Sequence, residues 1–160
     1  MIKWGERAEA SRKEVGHPKD HYAYGKLIKI RADLFKQRGH NSDTIHNLYK
    51  QAADIFEHQG CRIESAAVHS ADAAAFYEEG NYGEAETAYG QAQSLLQGEL
   101  SSQTVIAMEA RGKTLKRLGR EDEGEDFLNR AAAMQCELQE CREKASTEII
   151  NKKGQLHLAL

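Results

Sequence analysis

His69-Ser-Ala-Asp-Ala-Ala-Ala-Phe-Tyr-Glu-Glu-Gly80-Asn-Tyr-Gly-Glu-Ala-Glu-Thr-Ala-Tyr-Gly-Gln-Ala92 carries the pattern that decides the fold. Small and large residues alternate around its central glycine at helical spacing, and related patterns surround Gly39 and Gly119. The three glycines fall at almost even intervals, with a period near forty residues. A repeat of that length implies stacked helical hairpins, each needing its neighbour to bury its apolar face. Such a chain offers a surface for holding something else rather than a catalytic pocket.

The chain has 160 residues, enough for one domain with a real core. Alanine, glutamate, glutamine, lysine and leucine dominate and there is a single proline, so an all-α protein is expected. A net charge of −3 lacks the basic excess of a nucleic-acid binder, and no nucleic-acid partner is expected. Cys61, Cys136 and Cys141 are odd in number and show no C-x-x-C spacing, as in reduced intracellular thiols. No apolar stretch approaches the roughly 20 residues that span a bilayer. The N-terminal Met-Ile-Lys-Trp-Gly-Glu-Arg lacks the apolar middle of a signal peptide. A cytoplasmic location without membrane contact is expected, and the chain reads equally as a piece of a longer array.

An amphipathic segment from Trp4 to about Val15 stops at Gly16-His17-Pro18. A helix starting near Asp20 carries Leu27, Ile30, Leu34 and Phe35 at helical spacing and ends at Gly39. Asn41-Ser42-Asp43 supplies caps for the next helix, which carries Ile45, Leu48, Tyr49, Ala52 and Phe56. A third helix runs from about Cys61 to Glu79. Asn81 and Glu84 resemble a capping box opening a fourth, which Gly98 ends after about Gln97. A fifth spans about Ser101 to Leu118. The sixth opens in the acidic run Glu121-Asp-Glu-Gly-Glu-Asp126, read as a solvated helix cap rather than a metal site.

No early breaker stops this last helix. Phe127, Ala131, Met134, Leu138, Cys141 and Ala145 form a heptad seam that could continue through Ile149. It is expected to run ~30 residues, roughly 45 Å. A preceding repeat covers only part of that length. The rest must pack on a cap, on the apolar tail Leu156-His-Leu-Ala-Leu160, or on another chain.

The pattern resembles the tetratricopeptide repeat. Around Gly80 the family's small and large positions fall on Ala73, Phe76, Ala85, Tyr89 and Ala92, a full match. Around Gly119 they fall on Gly112, Leu115, Gly124, Leu128 and Ala131, a chemically weaker one. Around Gly39 they fall on Ala32 and Phe35, then Ile45, Tyr49 and Ala52 with a loop one residue longer. The family's usual leucine is replaced by Arg31, Asp72 and Arg111, and no proline closes a repeat. The period is similar to that of the soluble attachment proteins of vesicle fusion and of kinesin light chains, and unlike the secretion chaperones. The resemblance implies a right-handed α-α superhelix of about three hairpins over residues 20–133. Residues 1–18 would form an N-terminal segment, and 134–160 a C-terminal helix extension and tail, within one domain.

In that family the first helix of each pair lines a concave groove. Its exposed positions would be Lys26, Lys29, Asp33, Lys36 and Gln37 in the first repeat. The second would offer Ala67, Ser70, Ala74, Tyr77 and Glu78, and the third Ile106, Glu109, Lys113, Lys116 and Arg117. The groove is then basic at both ends, with small residues and a tyrosine between. It would suit a protein or peptide segment with acidic residues and an apolar anchor. Docking of a C-terminal carboxylate, as in chaperone-binding members, is not expected, because Asp33 and Ala74 stand where asparagines would.

Ala107-Met-Glu-Ala-Arg-Gly112-Lys113-Thr114 formally fits a loose phosphate-loop pattern, but it is strongly helix-forming and follows no strand. Gly112 reads better as the small residue of a helix crossing. His17, His21, His40, His46, His58, His69 and His157 are scattered, and no cysteine beside them has metal-ligand spacing. Cys136 and Cys141 point to different sides of one helix. No nucleophile motif appears, and neither enzyme activity, metal nor cofactor is expected. The expected function is a protein–protein interaction module, an adaptor or scaffold binding a peptide or helix. The alternatives are a peptide-responsive regulatory sensor and a subunit that self-associates through the last helix.

Overall fold

The computed structural model describes the backbone from His21 to Leu158 and side chains from Tyr22 to Ile150. The Trp4–Val15 segment, the Gly16-His17-Pro18 stop, the Asp20 start and the packing of the Leu156–Leu160 tail lie outside the described residues. Six helices follow in order: α1 His21–Gln37, α2 Ser42–His58, α3 Arg62–Glu78, α4 Tyr82–Leu96, α5 Ser102–Arg117 and α6 Glu121–Leu158. No strand occurs among the described residues. The chain divides into two compact units, Met1–Cys61 and Arg62–Leu160.

The stops at Gly39, Gly60, Gly80 and Gly119 share one hydrogen-bond pattern. At Gly80 (φ 83°) the glycine N–H donates to Tyr77 O at 3.1 Å, and the Asn81 N–H reaches back to Phe76 O at 2.9 Å. This left-handed closure satisfies orphan carbonyls and favours glycine. It also removes the expected capping box. The Asn81 N–H that Glu84 would accept is already spent, and the Asn81 side chain donates to Glu79 Oε2 at 3.2 Å instead. Asn41 does cap α2, its Oδ1 accepting from the Thr44 N–H at 3.3 Å.

In the first unit α1 packs on α2. The α2 face matches expectation, with Ile45, Leu48, Tyr49, Ala52 and Phe56 buried. The α1 face does not. Leu27, Ile30 and Leu34 are exposed, while Gly25, Ile28 and Ala32 are buried. A Cβ on Gly25 would come within 3.0 Å of the Phe56 ring and 3.2 Å of Ile55. The bulk at this crossing comes from Tyr49 and Phe56, so the facing helix must supply small residues.

In the second unit α3 packs on α4, α4 on α5 and α5 on α6, and α3 also touches α5. Ala73 and Ala85, both fully buried, form a cluster with Tyr89, against which Phe76 packs. The α5–α6 crossing is tighter. A Cβ on Gly112 would lie 2.8 Å from Gly124 O, and one on Gly124 would lie 2.7 Å from Gly112 O. Gly112 is therefore the small residue of a helix crossing, inside a continuous helix from Ser102 to Arg117.

Helix α6 has 38 residues, longer than the ~30 expected. Phe127, Ala131, Met134 and Leu138 pack with Val105 and Met108 of α5. Beyond them the seam is bare: Cys141 and Ala145 are exposed, as are Ile149 and Ile150. The cause is length. Helix α5 begins at Ser102, whose Oγ accepts from Arg142 at 2.9 Å, and no other described helix packs on α6. Among the described residues no helix is long and apolar enough to cross a membrane.

Candidate functional site

The sequence-derived groove residues fall in both units. In the first, Lys26 Nζ lies 4.3 Å from the centre of the Tyr22 ring. Lys29 Nζ donates to Asp33 Oδ2 at 2.8 Å, and the Tyr49 hydroxyl donates to Asp33 Oδ1 at 2.7 Å. The Asp33 carboxylate is thus engaged on both oxygens, and Lys29 has a partner on its own helix. Lys36 is half-buried.

In the second unit the predicted positions form one stripe on each of two touching helices. On α3 Ile63, Ala67, Ser70, Ala74 and Tyr77 step by four, three, four and three residues, which keeps them on one stripe. On α5 Ile106, Glu109, Lys113, Lys116 and Arg117 step by three, four, three and one. The stripes join where Arg117 Nε donates to the Tyr77 hydroxyl at 3.3 Å. Tyr77 in turn meets Tyr82 edge-on at 5.2 Å. Lys116 turns toward α6, 3.9 Å from both Glu121 and Glu125, leaving Lys113 and Arg117 as the exposed cations.

The other end of this face is apolar. Ile63 is 50% and Ile106 60% exposed, which is unusual for large aliphatic side chains on well-packed helices. Ile63 was missed by the sequence reading, which started the α3 stripe at Ala67. The signal was present, since Ile63 lies four residues before Ala67. The face therefore grades from aliphatic at the helix N-termini, through Ser70 and Ala74, to aromatic and cationic at the C-termini.

Arg111, at a position where the resemblance implies a leucine, is held by partners on two helices. Its guanidinium donates to Glu86 Oε1 from Nε at 3.0 Å and from Nη2 at 2.6 Å, and from Nη1 to Gln93 Oε1 at 2.7 Å. The same group lies 4.8 Å from the Phe127 ring centre and about 3.6 Å from a Cβ position on Gly90. One planar cation thus ties α4, α5 and α6 together, with Gly90 clearing the space for it.

The acidic start of α6 is answered by bases on α5, in the preceding loop and on α6 itself. Arg120 Nε donates to Glu123 Oε1 at 2.7 Å, and that hydrogen bond holds the Glu123 carboxyl below its ordinary value. Arg130 pairs with Asp126 at 3.5 Å. Among the described residues no group of three or more His, Cys, Asp or Glu could hold a metal ion. The Tyr89 hydroxyl is pushed up to about 12, mainly by burial and then by Tyr77 and Glu78. No family model matches the chain, and no curated protein matches it.

Proposed function

We propose that this chain is a protein–protein interaction module of the tetratricopeptide-repeat kind, a right-handed superhelix of about three hairpins acting as an adaptor or scaffold. The observation that carries the binding role is the graded α3–α5 face of the second unit. Exposed Ile63 and Ile106 stand at one end, and Lys113 with the Tyr77-anchored Arg117 at the other. The ligand is a peptide segment with an aliphatic or aromatic anchor at one end and acidic residues at the other. The isoleucines supply burial that water leaves unsatisfied, and the cations fix orientation and register. The sequence-derived site also includes Lys26, Lys29, Asp33 and Lys36. Lys29 and Asp33 satisfy each other, so the binding energy is assigned to the second unit.

A displayed library of random 12-residue peptides tests this reading. Selected binders should share an apolar anchor and a cluster of Asp or Glu. They should lose affinity at least tenfold to Ile106→Asp and again to Lys113→Glu/Arg117→Glu, about 1.4 kcal/mol or more each. Failure to enrich any sequence, or equal binding to wild type and both variants, would overturn it.

A further inference from the structure

Helix α6 presents a second stripe besides the seam that packs on α5. Glu140, Glu143, Ser146 and Ile150 step by three, three and four residues, and all are exposed. At about 100° per residue, Glu143 is turned roughly 140° from Leu138 of the seam, so this stripe looks away from α5. Ile150, at its far end, is 69% exposed, more than either isoleucine of the α3–α5 face. Glu143 accepts from Gln139 at 2.8 Å and Glu140 lies 4.0 Å from Lys144, so both carboxylates are held only by their own helix. The stripe thus has carboxylates at one end, an aliphatic side chain at the other and a small residue between. That is the polarity of the ligand assigned above to the α3–α5 face.

We propose that the α3–α5 face takes this stripe of a second copy, laid antiparallel to α5, so that copies join head to tail. The proposal rests on the peptide-binding reading of that face and names its occupant. Spacing selects the partner. Ile106 and Lys113 lie seven residues apart, as do Ile150 and Glu143, so one antiparallel register makes both pairs. The same register brings Glu140 to within one residue of Arg117 and sets Glu109 opposite Thr147, where no carboxylate meets it. Parallel docking with Lys113 on Glu143 would instead put Ile106 beside Cys136 and Ile150 beside Arg120. The occupant must come from another molecule. Helix α6 is continuous and passes its own α5 at Ser102, where Arg142 holds it, so its outer half cannot turn back onto its own chain.

The geometry also fixes the kind of assembly. Gly112 meets Gly124 and Ser102 meets Arg142, so α5 and α6 of one chain are antiparallel. The docked α6 therefore runs parallel to the first copy's α6, shifted along it by about 24 Å, close to the length of α5. Parallel, shifted copies have no two-fold axis between them. The contact is heterologous and open, and each end of a chain of copies keeps one unfilled face or one undocked helix.

Sedimentation of the full chain between about 1 and 500 µM should show a mass that keeps rising past that of a dimer. Ile106→Asp spoils the face and Glu143→Lys spoils the helix. Each should weaken association at least tenfold, roughly the loss of one good contact. Mixed in equal amounts, the two variants should form a dimer and nothing larger, because one retains its helix and the other its face. Both residues are exposed, so circular dichroism and unfolding midpoints should match those of the dilute wild type. Glu143→Lys should bind the library-selected peptides as tightly as wild type, which separates the occupant from the face. A monomer throughout, assembly that stops at a dimer or ignores either variant, or no dimer in the mixture would overturn the proposal. If the selected peptides still bind in that case, the peptide-binding reading stands without it.

Discussion

At Gly112 and Gly124 the absence of two methyl groups sets the separation of two helices. Gly112→Ala would place a Cβ 2.8 Å from a backbone oxygen that cannot swing aside, so α5 and α6 must part. The expected loss is about 1–3 kcal/mol, seen as a lower midpoint in thermal or urea unfolding. Gly83→Ala is the control. Nothing lies within 4 Å of its added Cβ and it sits inside α4, so that variant should gain up to ~1 kcal/mol. Tyr89 predicts a pH effect of definite sign. Its folded hydroxyl holds its proton to about pH 12 while the unfolded one releases it near 10, so above 10 the unfolded chain binds fewer protons. Wild-type stability should fall relative to Tyr89→Phe between roughly pH 10 and 12, and run parallel to it below that. Equal slopes in alkaline urea titrations would refute the assignment. The small-residue pattern around Gly80 and Gly119 made these crossings legible in the sequence. Gly25 escaped, because in α1 the conspicuous Leu27, Ile30 and Leu34 outweighed the glycine, isoleucine and alanine that meet α2.

Helix positions were read to within a residue or two from α3 to α5, since each end is a glycine or a capping side chain with a local hydrogen-bond reason. Capping at Asn81 was misread because a motif spelled by side chains competes with a backbone closure that sequence does not display. Arg111 illustrates the same limit at longer range. Its partners Glu86 and Gln93 lie 25 and 18 residues away, and only the packing of α5 on α4 shows that they meet. Arg111→Met should destabilise by about 1–3 kcal/mol, because Glu86 is left half-buried without its cation. Adding Glu86→Gln should recover part of that loss, and additive effects in the double-mutant cycle would show the pair uncoupled. In α6 the heptad reading identified the residues of the seam but not where their partner ends. Hydrogen exchange should mark that point. Amides from Phe127 to Leu138 should stay protected, while those from Glu143 to Ile150 exchange much faster. Equal protection on both sides would show that the second half is packed rather than bare.

On the scale of the whole molecule, the second unit exposes large aliphatic side chains in two places. The α3–α5 face is graded in polarity and suits a ligand with unlike ends. The outer half of α6 exposes Ile149 and Ile150 beyond the reach of α5. Sequence reading reached the polar half of the first surface through the spacing of Tyr77, Lys113 and Arg117. It missed that Lys29, Asp33 and Lys116 are occupied within the fold, because ion pairing between side chains is decided by packing. Peptide affinity should fall as salt rises from about 50 to 500 mM, since the cationic end is solvent-exposed and screened. Lys113→Glu/Arg117→Glu should abolish that salt dependence while leaving the unfolding midpoint unchanged.

The continuity of α6 across the edge of its core also makes it a phase-locked shaft. Each residue inserted after Gln139 would advance the outer half by ~1.5 Å and turn it by ~100° relative to the body. Two inserted residues would swing Ile149 to nearly the opposite side, and seven would bring it back within ~20°. The first insertion would reverse the orientation of the outer half relative to the α3–α5 face, and the second would nearly restore it. The number of helical residues between Leu138 and any contact on the outer half therefore sets the angle at which that contact meets the body.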